Sequence, residues 1–123
     1  MSGKVLLIDD EPELVAAVEI RLKANGYDVD FAYDGQAGLE KIKVNKPDLI
    51  LLDIVMPKID GYEVCKRLKT DPEAKDIPII IFSASQRKGF EDRYRALGVN
   101  NFIFKPFDSK ELLDMIKKVI AKG

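Results

Sequence analysis

Apolar positions along this chain fall into short blocks whose period switches between two and about four. Lys4-Val5-Leu6-Leu7-Ile8, Asp48-Leu49-Ile50-Leu51-Leu52 and Ile79-Ile80-Ile81-Phe82 are nearly continuous aliphatic runs, as expected of strands covered on both faces. Asp28-Val29-Asp30-Phe31-Ala32 alternates polar and apolar, which suits an edge strand, and Phe102-Ile103-Phe104 completes the set. The pattern predicts strands over 4–8, 28–32, 48–52, 78–82 and 101–104.

Helical spacing fills the intervals. Leu14, Val18 and Leu22 recur four apart, and Gly26 stands where a C-terminal cap belongs. Leu39 and Ile42 mark a second helix closed by Asn45-Lys46-Pro47, and Val64, Cys65 and Leu68 a third stopped by Thr70-Asp71-Pro72. Phe90, Tyr94 and Leu97 mark a fourth, ended by Gly98, with Gln86-Arg87-Lys88-Gly89 read as its first turn. Leu112, Ile116, Val119 and Ile120 mark the fifth, capped by Asp108 or Ser109. Strict alternation with short loops predicts an α/β domain over 1–123, with a parallel five-stranded sheet and helices on both faces. The polar second strand belongs at an edge, giving the strand order 2-1-3-4-5.

Composition narrows the chemistry. The 123 residues are 46% hydrophobic and 33% charged, ordinary for a globular domain that buries a core without disulfides. A net charge of −1 supplies no global field for nucleic acid or an anionic membrane, so neither is expected as a direct partner. Cys65 is the only cysteine and there is no histidine, so a resident metal would be a hard cation held by oxygen. The N-terminus lacks a basic stretch followed by an apolar one, and a cytoplasmic location is expected.

The strand exits carry the chemistry. The first run leads into Asp9-Asp10, the third into Asp53, the fourth into Ser83 and the fifth into Lys105-Pro106. In an open parallel sheet ligands bind beyond the carboxyl ends of the strands, where the order reverses. Order 2-1-3-4-5 sets Asp9 and Asp10 beside Asp53, with Ser83 and Lys105 next along the same edge. Three carboxylates so close repel, and Lys105 with a divalent cation would offset that repulsion. Mg²⁺ suits the donor set, with Mn²⁺ able to substitute; a carboxylate so placed can attack phosphorus and form an acyl phosphate. Taken singly, Asp9-Asp10-Glu11-Pro12 also reads as a helix start, Asp53 as a loop acid, Ser83 as a cap and Lys105 as a surface lysine. The combination carries the specificity.

The whole chain resembles the receiver domain of two-component response regulators. The matching motifs are Leu7-Ile8-Asp9-Asp10-Glu11-Pro12, Asp48-Leu49-Ile50-Leu51-Leu52-Asp53-Ile54-Val55-Met56-Pro57, Asp60-Gly61, Ile79-Ile80-Ile81-Phe82-Ser83-Ala84 and Phe104-Lys105-Pro106-Phe107. The resemblance implies a flavodoxin-like (βα)5 three-layer sandwich and signal transduction through an aspartyl phosphate. It implies that Asp53 is phosphorylated with Mg²⁺ held by Asp9, Asp10, Asp53 and the backbone carbonyl of Val55. Ser83, the Ala84 backbone and Lys105 would bind the phosphoryl group, Phe102 would respond to it, and Lys105-Pro106 would be a cis peptide. Phe102 stands where many members carry tyrosine, and it also reads as a plain core aromatic. Val55 and Ser85 occupy positions that tune phosphoryl hydrolysis in the family; neither offers an acid or amide to hold water, so a long-lived phosphorylated form is expected. The implied donor is a sensor histidine kinase or phosphotransfer protein. The implied output is a downstream protein, or an effector domain absent from this chain.

Three other readings compete. A flavin or nucleotide binder of this topology needs a Gly- or Ser/Thr-rich loop after the first strand, where this chain has Asp9-Asp10-Glu11-Pro12. An aspartyl phosphatase would carry a second acid at Val55 and a segment to hold substrate. A vestigial receiver serving as a phosphorylation-independent interaction module would tolerate loss of site residues, yet the full set is present. The chain reads as a phosphorylated regulator, not an enzyme, although it would assist its own phosphorylation and dephosphorylation.

Overall fold

The computed structural model describes residues 3–54, 59–83 and 89–122. Strands and helices alternate as β1 (Lys4–Ile8), α1 (Pro12–Ala24), β2 (Asp28–Ala32), α2 (Gly35–Val44), β3 (Leu49–Asp53), α3 (Gly61–Lys69), β4 (Ile79–Ser83), α4 (Phe90–Arg95), β5 (Asn101–Phe104) and α5 (Ser109–Lys122). All strand pairs are parallel and the order is β2-β1-β3-β4-β5. The expected topology is borne out.

Burial follows the pleat. Alternate residues of each central strand point to opposite faces. Leu6, Ile8, Ile50, Leu52, Ile79 and Ile81 pack with Ile42, Val64, Leu68 and Tyr94 from α2, α3 and α4. Val5, Leu7, Leu49, Leu51, Ile80 and Phe82 pack with Val18, Leu22, Leu112 and Ile116 from α1 and α5. The edge strand β2 leaves Asp28 and Asp30 exposed, which discourages pairing with another chain.

Two strands start and end one residue later than expected. Pro78 has no N–H and gives only its carbonyl to the Ile50 N–H, so β4 begins at Ile79. The Asp48 carboxylate accepts the Lys4 N–H at 2.8 Å, and β3 begins at Leu49. At the far end, pairing runs through Asp53, opposite Phe82, and Ser83, opposite Phe104. Both side chains therefore stand on ladder residues, not on loops.

Helix boundaries follow the punctuation. Asp34, Asp60 and Asp108 cap α2, α3 and α5, accepting the N–H of Ala37, Glu63 and Glu111. The expected first turn of the fourth helix requires correction. Gly89 lies before α4 with φ +86, a left-handed conformation open to glycine, and the helix starts at Phe90; residues 86–88 lie outside the described residues. That helix also stops at Arg95, because Leu97 and Gly98 turn the chain with tighter bonds to Tyr94 and Arg95.

Candidate functional site

The chain leaves β1 into Asp9, whose backbone N–H donates to the Ala32 carbonyl of β2 at 3.1 Å. That bond extends the ladder by one residue and fixes where the first acid points. The Asp9 carboxylate is wholly buried and both oxygens are engaged. Oδ1 accepts the Glu11 N–H at 2.9 Å, closing the turn into α1, and Oδ2 accepts the Lys105 ammonium at 3.0 Å. Asp10, next along, is exposed. Pro12 opens α1 without a side-chain cap. The acids at the helix start are thus divided between closing the turn and facing the site.

Asp53 ends β3 and Ser83 ends β4; both are buried. One oxygen from each of Asp9, Asp10 and Asp53 lies within 4.8 Å of the others. Unit negative charges at that spacing repel by about 3 kcal/mol per pair at an effective dielectric near 20. Lys105 answers part of it: its Nζ lies 3.0 Å from Asp9, 2.9 Å from Glu11 and 3.8 Å from Asp53. The lysine reaches this point because its N–H donates to the Ser83 carbonyl at 2.8 Å. The Lys105-Pro106 peptide is cis. The Phe82 ring lies beneath the ammonium, its centroid 5.1 Å away.

Electrostatics here oppose burial to pairing. Burial raises the Asp9 carboxyl pKa, and the bonds from Lys105 and the Glu11 N–H only partly compensate, leaving it above the ordinary value. For Lys105 burial works the other way, lowering its pKa, but hydrogen bonds to Glu11 and Asp9 and the Asp53 charge outweigh it. The lysine stays charged. The residual negative charge and the all-oxygen donors fit a hard divalent cation, which keeps waters and leaves positions for phosphate oxygens.

Phe102 is half-buried and packs toward α4. It meets Phe90 edge-on at 6.0 Å and Tyr94 at 6.5 Å, and the Arg95 guanidinium lies 5.1 Å from its centroid. Phe104 packs on the same Phe90 ring. Phe102 is therefore an aromatic on the β5–α4 seam. The structure thus joins Asp9, Asp10, Asp53, Ser83 and Lys105 at one edge and places Phe102 beside it. Val55, Ala84 and Ser85 lie outside the described residues.

Two residues gain roles that their motifs did not signal. Glu11 read as a helix-start acid, yet it makes the shortest carboxylate contact to Lys105. Gly61 donates its N–H to the Ile54 carbonyl at 3.2 Å and lies against the backbone of Ile54 and Asp53. Three consecutive acids at a strand exit were the only sequence signal for the first; Asp60-Gly61 stood only among the motifs of the resemblance, with no role attached to the glycine.

Comparison with known proteins points one way. The family model described as the response regulator receiver domain matches residues 5–117. The alkaline phosphatase synthesis transcriptional regulatory protein PhoP of Bacillus subtilis is 35% identical over all of this chain and 50% of its own length. The response regulator ArlR of Staphylococcus saprophyticus is 39% identical over 97% of this chain and 53% of its own. The chain spans about half the length of these curated relatives. The solved chemotaxis protein CheY4 of Vibrio cholerae superposes with a TM-score of 0.90 at 28% identity, covering 97% of this chain and 99% of that one. The Francisella response regulator 1452 receiver domain gives 0.89 at 28%, covering 98% of each.

Proposed function

The chain belongs to the response regulator receiver family of two-component systems, and from that membership we propose that Asp53 is its phosphoacceptor. The observation that carries this reading is the placing of Asp53 within 4.8 Å of the Asp9 and Asp10 oxygens and 3.8 Å from the Lys105 ammonium.

In the transfer, an Asp53 oxygen attacks phosphorus of a phosphohistidine. The new P–O bond forms as the P–N bond breaks, and the electron pair leaves on the imidazole nitrogen. The Lys105 ammonium supplies positive charge to the incoming phosphoryl oxygens, and the Ser83 hydroxyl donates to them. Ser83 is a ladder residue of β4 and the Lys105 N–H is bonded to its carbonyl, so both backbones are fixed at this edge and the reorganisation as charge develops is confined to side chains. Mg²⁺ or Mn²⁺, held by Asp9, Asp10, Asp53 and the Val55 carbonyl, would screen the carboxylates and stabilise charge on the phosphoryl oxygens. The protein thereby assists its own phosphorylation.

Once phosphorylated, Ser83, the Ala84 backbone and Lys105 gather around the phosphoryl group. Lys105 and Ser83 are bonded through their backbones, so a shift at either reaches β5. Phe102 on that strand carries the shift to Phe90, Tyr94 and the α4–β5–α5 face. The donor is a sensor histidine kinase or phosphotransfer protein. The output is a downstream protein or an effector segment of the kind implied by the length of the curated relatives.

Acetyl phosphate tests the assignment. With Mg²⁺ the intact mass should rise by one labile phosphoryl group, with none on Asp53→Asn and none in chelator. Equal labelling of Asp53→Asn would overturn it.

A further inference from the structure

Glu11 stands outside the acidic group suited to a cation, yet its Oε1 lies 2.9 Å from Lys105 Nζ, closer than Asp9 at 3.0 Å or Asp53 at 3.8 Å. The Lys105 side chain is only 14% exposed, whereas that of Glu11 is 61% exposed. An ammonium offers three N–H groups. Two are committed, to Glu11 and Asp9, and Asp53 lies beyond hydrogen-bond range.

We propose that Glu11 is a restraining residue that holds Lys105 toward solvent in the unphosphorylated protein, so that the Lys105–Glu11 bond must yield before the lysine serves the phosphoryl group on Asp53. This rests on Asp53 being the phosphoacceptor. The Lys105 backbone is pinned to Ser83, so the adjustment falls to the lysine side chain. Glu11 has room to let go. It stands at the rim of an open groove of about 460 Å³ between α1 and α5, lined by Leu14, Ala17, Arg21 and Phe107, and can swing into water without repacking. Because its carboxylate is hydrated, the restraint is weak: exposed ion pairs of this kind shift an equilibrium by about two- to fivefold.

The acid and phosphoryl group compete for one lysine, so releasing the acid should speed labelling. Removing a negative charge near the site would also speed the approach of an anionic donor, and the test must separate the two. Glu11→Gln removes charge and ion pair together; Glu11→Asp keeps the charge on a side chain one methylene too short. Glu13→Gln removes a charge from the same first turn of α1, at an exposed position outside the site.

Labelling rates with acetyl phosphate and Mg²⁺ should rise about two- to fivefold in both Glu11→Gln and Glu11→Asp and stay at the wild-type value in Glu13→Gln. Affinity for beryllofluoride, a phosphoryl mimic, should rise in parallel while thermal midpoints stay together. If Glu11→Asp labels like wild type while Glu11→Gln is fast, only charge matters and the restraint is refuted. A Glu11→Gln that labels no faster than wild type refutes it too. A wild type that takes no phosphoryl group at all overturns the parent reading, and the restraint falls with it.

Discussion

Lys105 and Asp9 stand 96 residues apart in sequence, and their side chains meet at 3.0 Å. The bond ties the exit of β5 to the exit of β1 across the width of the site. It also gives a wholly buried carboxylate its one cationic hydrogen-bond partner among the described residues. Truncating the lysine leaves that charge with only the Glu11 N–H.

Lys105→Met should therefore destabilise the metal-free protein by about 1–3 kcal/mol at neutral pH, less than a fully buried pair because Asp9 can take up a proton. The pH dependence has a fixed sign. Burial already raises the Asp9 pKa, and without Lys105 it stands higher still. A raised carboxyl pKa favours the folded state below it and costs stability above it. The deficit against wild type should narrow as pH falls from about 7 toward 5, as read by urea unfolding without Mg²⁺. A deficit equal at both ends would mean that Asp9 carries no buried charge.

The acids should separate by role. Both Asp9 oxygens already accept hydrogen bonds, whereas Asp10 is exposed with its carboxylate facing the cluster. Asp10→Ala should abolish the rise in thermal midpoint produced by Mg²⁺ and, by relieving repulsion, stabilise the metal-free protein by about 1 kcal/mol. Asp9→Ala should keep part of the Mg²⁺ response yet lose metal-free stability, since it opens the turn into α1 and leaves Lys105 underpaired. Simple relief of repulsion would have predicted a gain in both. Melts with and without Mg²⁺ decide between the two, and a full Mg²⁺ shift in Asp10→Ala would place the cation elsewhere.

Much of this edge was legible because most of its candidate side chains end apolar runs of their own. Asp9, Asp53, Ser83 and Lys105 could be assigned to one rim once five strands and their order were read. The register was harder. Asp48 spends its carboxylate on the Lys4 N–H while Asp53 pairs with Phe82 of β4, and hydrophobic pattern encodes neither. Glu11 was hidden for another reason: as an acid beside Pro12 at a helix start it already had a sufficient explanation. Its contact with Lys105 arises only when α1 and the β5–α5 connection come together. Phe102 was readable as aromatic and interior, but its partners Phe90 and Tyr94 lie on a helix that proved shorter than its periodicity suggested.

Hydrolysis of the aspartyl phosphate needs a water aligned with the phosphorus–Asp53 bond, and positioning that water is much of what a catalyst contributes. Val55, two residues past Asp53, supplies no group to hold one. Val55→Asn should therefore shorten the lifetime of the phosphorylated protein, by about tenfold or more if the amide orients the water, with labelling of Asp53 little changed. Single-turnover decay in Mg²⁺ measures it directly, and an unchanged decay would remove the basis for a long lifetime.

Gly61 tests whether the position of Asp53 depends on its backbone surroundings. A Cβ at residue 61 would lie 2.5 Å from Ile54 Cα and 3.0 Å from the Asp53 carbonyl oxygen, so α3 docks on the exit of β3 with no space for a methyl group. Backbone cannot yield as a flexible side chain does, and Gly61→Ala should cost about 1–3 kcal/mol. Gly26 offers a matched comparison: its φ of +89 makes alanine unfavourable by about 1–2 kcal/mol, but open space surrounds it, far along the chain from the site. The two variants should lose similar stability. Only Gly61→Ala should also slow labelling by acetyl phosphate, because displacing the Asp53 carbonyl misaligns a carboxylate that must attack along one line. Urea melts and labelling rates on both proteins separate the effects. Were both to label at the wild-type rate, the close seating of α3 would serve stability alone, and the β3 ladder would suffice to aim Asp53.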